Sequence, residues 1–94
     1  MNSFFFKHKT PPELAKELAL RIQKKRKKKK ISQVELAQRS GVSLGSIKRF
    51  ETKYEISLLS FIKIAGALDL ASELDDLFTK NEYLSIEEVI NERI

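Results

Sequence analysis

The segment Ser32–Glu51 constrains the fold more tightly than any other stretch of the chain. Ser32-Gln33-Val34-Glu35 is a capping box, in which a serine hydroxyl meets the first orphan amides of a helix, and a short helix follows to Arg39. Ser40-Gly41-Val42 reads as a turn, with Gly41 free to take a left-handed conformation. Ser43 then caps a second short helix, Leu44–Phe50. Leu36 and Ala37 precede Gly41 by five and four residues, while Val42, Ile47 and Phe50 follow it by one, six and nine. A small side chain at Ala37 lets the two helices approach closely. Leu36, Val42, Ile47 and Phe50 then lock the pair onto a core.

The flanks supply further helices on the same logic. Thr10-Pro11-Pro12-Glu13 announces one, since threonine caps, proline suits the first turn and Glu13 completes a box. Leu14, Leu18 and Ile22, with Ala15 and Ala19 beside them, form an apolar stripe at helical spacing. That helix runs out in Lys24-Lys25-Arg26-Lys27-Lys28-Lys29-Lys30, which suits the negative end of the helix dipole yet repels itself. Thr52–Ile56 reads as a loop, and Ser57 caps a fourth helix carrying Leu58, Phe61, Ile62, Ala65 and Leu68. Ala71–Phe78 reads as a fifth, with Leu70, Leu74, Leu77 and Phe78 facing inward. Thr79-Lys80-Asn81-Glu82 breaks the pattern before an amphipathic last segment, Tyr83–Ile94, which carries Ile86, Val89, Ile90 and Ile94. At the other end, Phe4, Phe5 and Phe6 either fold back onto the core or form an exposed pairing edge. The expected architecture is all-α: an aromatic tail over 1–9, a five-helix domain over 10–79 and an extension over 80–94. A chain of 94 residues suffices for one such core and hardly for two.

Charge is divided unevenly along this plan. Residues 1–53 carry 15 Lys/Arg against 4 Asp/Glu, a net +11, and residues 54–94 carry 3 against 9, a net −6. Poles of opposite sign suggest two kinds of partner, a polyanion for the first and something else for the second. No apolar run approaches the roughly 20 residues that span a bilayer. The apolar stretch in Met1–Lys9 is too short for a signal peptide, so a cytoplasmic location without a membrane partner is expected. The chain has no cysteine, and His8 lacks a partner at metal-ligand spacing, so neither metal nor cofactor is expected. Nor is an enzyme: no Ser–His pairing lies near an acid and no glycine-rich phosphate loop is present. Asp75 and Asp76 are adjacent, and on a helix they point to different sides.

Five groups of residues carry a resemblance to a known family. They are Ile31-Ser32-Gln33-Val34-Glu35-Leu36-Ala37, Ser40-Gly41-Val42-Ser43 and Ile47-Lys48-Arg49-Phe50-Glu51, joined by Ser57-Leu58 and Ile64-Ala65-Gly66-Ala67-Leu68. Residues Ile31–Leu70 resemble the helix-turn-helix domain of the lambdoid phage repressors, the Cro proteins and the wider XRE family of bacterial regulators. With the first helix included, the similarity spans roughly Leu14–Phe78.

The resemblance implies sequence-specific binding of double-stranded DNA, with repression of transcription as the outcome. It implies that Gln33 holds a phosphate and braces the reading helix. Leu44, Gly45 and Arg49 fall where the family touches base edges, and Ser43, Ser46 and Lys48 where it touches bases or flanking phosphates. Of these, Arg49 is the best bidentate reader of guanine, whereas Leu44 can only pack against a thymine methyl and Gly45 can only allow close approach. Arg26 matches a first-helix arginine that pairs with the acid at the end of the third helix, here Glu51. Lys29 and Lys30 are expected on the phosphate rim. The family often has Asn-Gly after that acid; this chain has Thr52-Lys53-Tyr54, so Lys53 would have to reach phosphate with its side chain. One such unit reads about half a turn of bases, which implies a homodimer on a palindromic operator in a prokaryotic or phage setting. The size and the short reading helix are similar to those of HipB-like antitoxins, which hold a partner toxin while binding their own operator. A freestanding phage-type repressor, or a protein-interaction module with a degenerate helix-turn-helix, are the alternatives.

Overall fold

Among the described residues, four of the five helices begin at a hydroxyl. In the computed structural model, which describes residues 9–80, Thr10 Oγ1 accepts the Glu13 amide at 3.3 Å and starts α1, Pro11–Lys28. Ser32 accepts from Glu35 at 3.0 Å to start α2, Gln33–Ser40, and Ser43 accepts from Ser46 at 3.1 Å to start α3, Leu44–Lys53. Ser57 does the same for α4, Leu58–Ala67, through Ser60 at 3.1 Å. Only α5, Ala71–Asp75, lacks a side-chain cap, its N-cap being Leu70. The described residues are all-α, five helices with no strand. The aromatic tail Phe4–Phe6, His8 and the segment Tyr83–Ile94 lie outside them.

α2 sits in the middle, packed on both α3 and α4, while α1 packs on α3 and α5 on α4. The shared core comprises Ala19 and Ile22 of α1, Ile31, Leu36 of α2, Val42 of the turn, Ile47 and Phe50 of α3, Ile64 and Ala65 of α4, and Leu68 just beyond it. Phe50 meets Phe61 edge to face, with ring centroids 5.9 Å apart and planes at 83°, a geometry that sets the positive ring edge against the negative face. Gly41 closes α2 at φ +74°, its amide returning to the Ala37 carbonyl at 3.0 Å. A Cβ there would meet no neighbour, so the requirement for glycine is conformational and not one of space.

Several boundaries differ from the sequence reading. α3 continues through Thr52 and Lys53, where a loop was expected, because nothing in Thr52-Lys53 breaks a helix and the Thr52 hydroxyl donates back to the Lys48 carbonyl at 2.8 Å. It ends at Tyr54, which adopts φ +63° without being glycine. α5 stops at Asp75 and not at Phe78: it is uncapped, and Asp75 and Asp76 place negative charge on its negative end. Leu77 and Phe78 therefore do not face inward; Phe78 is 94% exposed. On α1 only Ala19 and Ile22 of the expected stripe are buried, with Leu14 and Leu18 on a partly open flank. Ile62 and Leu58 of α4 are likewise exposed, and Ile64 takes the core position.

Two other helix ends follow one hydrogen-bonding scheme. Ile31 N–H returns to the Arg26 carbonyl and Lys30 N–H to that of Lys27, with Lys30 at φ +58°. At the end of α4, Leu70 returns to Ala65 and Asp69 to Gly66, with Asp69 at φ +62°. These are Schellman closures whose left-handed position holds a residue other than glycine.

The burial pattern gives a direct test. Truncating Ile47, which is fully buried, should cost roughly 2–5 kcal/mol in urea unfolding through lost transfer energy and a residual cavity. Truncating Ile62, on the exposed side of α4, should stay within about 0.5 kcal/mol of the parent.

Candidate nucleic-acid interface

α3 divides cleanly by helical spacing. Ile47, Phe50 and Glu51 point into the protein, and Gly45, Lys48, Arg49 and Thr52 occupy the opposite, exposed side at intervals of three and four. Leu44 and Ser46 are half-buried at the helix start, and Ser43 is exposed, its hydroxyl donating to Ser46 Oγ at 2.8 Å. Lys53 extends the exposed side at the last turn.

What holds α3 in this orientation is a buried polar cluster. Arg26 Nε donates to Glu51 Oε2 at 2.8 Å and Arg26 Nη2 to Glu51 Oε1 at 3.0 Å, a two-point contact between α1 and α3. Gln33 Nε2 at 2.8 Å and Gln23 Nε2 at 3.1 Å also donate to Glu51 Oε1. Arg26 Nη1 reaches the Ile31 carbonyl at 2.8 Å, tying the α1–α2 connection to the same group. Arg26 and Glu51 are the only buried charged residues among those described, and no buried side-chain polar atom there lacks a partner. Burial alone would raise the Glu51 carboxyl above its ordinary 4.5, but the hydrogen bonds from Arg26 and Gln33, the Arg26 charge and Gln23 together hold it lower.

The structure thus brings Arg26, Gln33 and Glu51 into one cluster and sets Ser43, Gly45, Lys48, Arg49 and Lys53 on the exposed flank beside it. Gln33, expected on a phosphate, directs its amide N–H to Glu51 here. Arg49 Nη2 donates to Glu55 Oε1 at 2.7 Å, both side chains being well exposed. Lys29 does not join the α3 flank: its ammonium pairs with Asp69 at 2.8 Å and holds that carboxyl below its ordinary range. Lys30 is exposed at the left-handed end of α1. Gln23 and Glu55 were missed from sequence. Gln23 lies three residues before Arg26, so helical spacing could have placed it; Glu55 carries no such signal, because its reach depends on the turn at Tyr54.

Among the described residues no group of three His, Asp or Glu side chains converges as a metal site, and no helix is long and apolar enough to cross a membrane. Residues 22–74, more than half of the chain, match the family model described as helix-turn-helix. No curated protein matches the sequence.

The cluster makes stability depend on pH with a defined sign. The folded state favours ionised Glu51, so its contribution is complete above the unfolded value near 4.5 and fades as pH falls through the lower folded value. Glu51→Gln should lose that acid-side dependence. Glu51→Ala, which strands the buried Arg26 guanidinium, should cost about 3–5 kcal/mol in denaturant titration at neutral pH.

Proposed function

The chain belongs to the XRE-type helix-turn-helix family of DNA-binding regulators, and from that footing we propose that it represses transcription by occupying a specific duplex operator with α3 in the major groove. The observation that carries the reading is the division of α3. Its inner side is fixed by Ile47, Phe50 and the Glu51 cluster, and its outer side presents Gly45, Lys48 and Arg49. Gly45, in the first turn of α3, adds to the reading, because glycine in a helix is less favourable than alanine by up to about 1 kcal/mol. A Cβ at Gly45 would meet nothing within 4 Å, so nothing inside the protein accounts for that cost. Close approach of a base edge does.

In this reading Arg49 leaves Glu55 and donates to guanine O6 and N7, the strongest single base contact available to the face. Ser43, Ser46, Lys48 and Lys53 contact bases or flanking phosphates, Leu44 a thymine methyl, and Gln33 a phosphate from the start of α2. Lys30 and, once released from Asp69, Lys29 extend the phosphate contacts. Two copies bind a palindrome, since a single α3 covers only a half-site. Such a regulator acts on the DNA of a prokaryotic or phage-infected cytoplasm.

The division of charge favours a more specific role, the antitoxin of a toxin–antitoxin pair that represses its own operon. The acidic residues 54–94 are unsuited to DNA, and Leu58 and Leu59 are 74% and 63% exposed on α4, as a protein-binding surface requires. An adjacent gene encoding a toxin would support this role, and a lone gene would favour a freestanding repressor.

Selection from a random duplex library, followed by affinity measurement on the winning site, tests the main reading. Arg49→Ala should weaken that site by about 5- to 150-fold, the loss of one bidentate base contact. Unchanged binding would remove α3 from the reading role. Gly45→Ala should raise unfolding stability by up to about 1 kcal/mol while weakening the same site. Affinity should fall with salt at a log–log slope of about −0.9 for each phosphate contacted.

A further inference from the structure

An apolar groove runs between α1, α4 and α5. It encloses about 470 Å³, and its walls are chiefly Leu14, Leu18, Phe61, Leu74, Leu77 and Phe78. Four of these, Leu14, Leu18, Leu77 and Phe78, are large side chains left exposed, and together they form a continuous surface of the kind that proteins cover. Arg21 and Lys25 of α1 stand on its rim, with Glu73 as the one acid in the wall.

We propose that residues 83–94 of the same chain lie in this groove. The described chain ends at Lys80, two residues beyond Phe78 in the groove wall, and fourteen residues follow. A short tether of this kind gives a millimolar effective concentration and makes docking intramolecular. The apolar residues Ile86, Val89, Ile90 and Ile94 recur at the spacing of one helix side, matching a groove that offers apolar contact along one face. Twelve helical residues extend about 18 Å, close to the roughly 16 Å between Leu14 and Lys25 along α1. Charge agrees as well: residues 81–94 carry four glutamates against one arginine and would meet the Arg21 and Lys25 rim. A second copy seated in the groove would leave this segment's own apolar stripe uncovered, whereas docking in the same chain covers both surfaces at once.

The chain has no cysteine, so a designed pair in the full-length protein gives an unambiguous answer. Leu18→Cys combined with Ile90→Cys, and separately with Val89→Cys, is oxidised and run on a non-reducing denaturing gel. At least one pair should yield a cross-linked species of monomer mass that reverts on reduction. A disulfide-linked dimer from both pairs would assign the groove to a second copy, and absence of any bond would leave it without this occupant; either result overturns the proposal. Hydrogen exchange on the unmodified full chain provides a second readout. Amides of residues 84–94 should exchange at least tenfold more slowly than in an unfolded peptide, independently of protein concentration. Ile90→Asp should abolish that protection and increase binding of an apolar dye. Exchange at the unprotected rate, or protection that grows with concentration, contradicts docking within one chain. Neither readout involves DNA, so the outcome is separate from that of the operator experiments.

Discussion

Three stretches of chain that are distant in sequence meet on the Glu51 carboxylate. Gln23 and Arg26 come from α1, Gln33 from α2, and Glu51 itself from α3, while Arg26 adds the Ile31 carbonyl between the first two helices. Apolar contact would hold these elements together with less penalty, since buried ion pairs gain little over a well-packed hydrophobic substitute. What hydrogen bonds add is direction. Each donor in the cluster tolerates only a limited range of angles, and four of them converge on one carboxylate, so they restrict the rotation of α3 about its own axis and with it the side that Gly45, Lys48 and Arg49 present. Packing of Ile47 and Phe50 fixes how deep the helix lies; the Glu51 cluster fixes how it is turned.

That division of labour explains why the core and the outer side of α3 answer to different constraints. Leu36, Ile47, Ile64 and Leu68 are almost fully buried and are constrained by volume. Across the helix, Gly45 has open space around it and Arg49 is held only by an exposed partner in Glu55. An exposed pair of this type is worth at most about 1 kcal/mol, so it restrains the guanidinium without committing it.

Much of the fold could be read from sequence because its signals are local. Hydroxyl caps at Thr10, Ser32, Ser43 and Ser57, and the glycine turn at Gly41, each act within four residues, and each is where the pattern put it. The errors fall where a tertiary preference overrides or replaces such a signal. Thr52 and Lys53 stay helical because the stop lies at Tyr54, an aromatic residue that gives no turn signature; its ring is partly buried against the core and lies under the Lys16 ammonium, 5.7 Å from the centroid. Leu77 and Phe78 fit an inward helical stripe by spacing, yet α5 has neither a cap nor favourable charge at its end to carry it that far. For the candidate site, the Arg26 and Glu51 pairing came from family resemblance and not from spacing. The engagement of Arg49 with Glu55 and of Lys29 with Asp69 depends on where loops bring distant side chains, which periodicity does not encode.

The left-handed helix ends bear on the molecule as a whole. Lys30, Tyr54 and Asp69 at helix ends, and Phe78 in the turn beyond α5, all stand at positive φ, a conformation that costs a residue with a Cβ about 1 kcal/mol, less for a short polar one such as Asp69. Together they withhold on the order of 3–4 kcal/mol from a domain whose net stability is expected near 5–15 kcal/mol. Glycine at Lys30 or Asp69 could therefore raise heat tolerance at the seams between helices without touching a core side chain, whereas at Tyr54 it would remove a ring packed against the core.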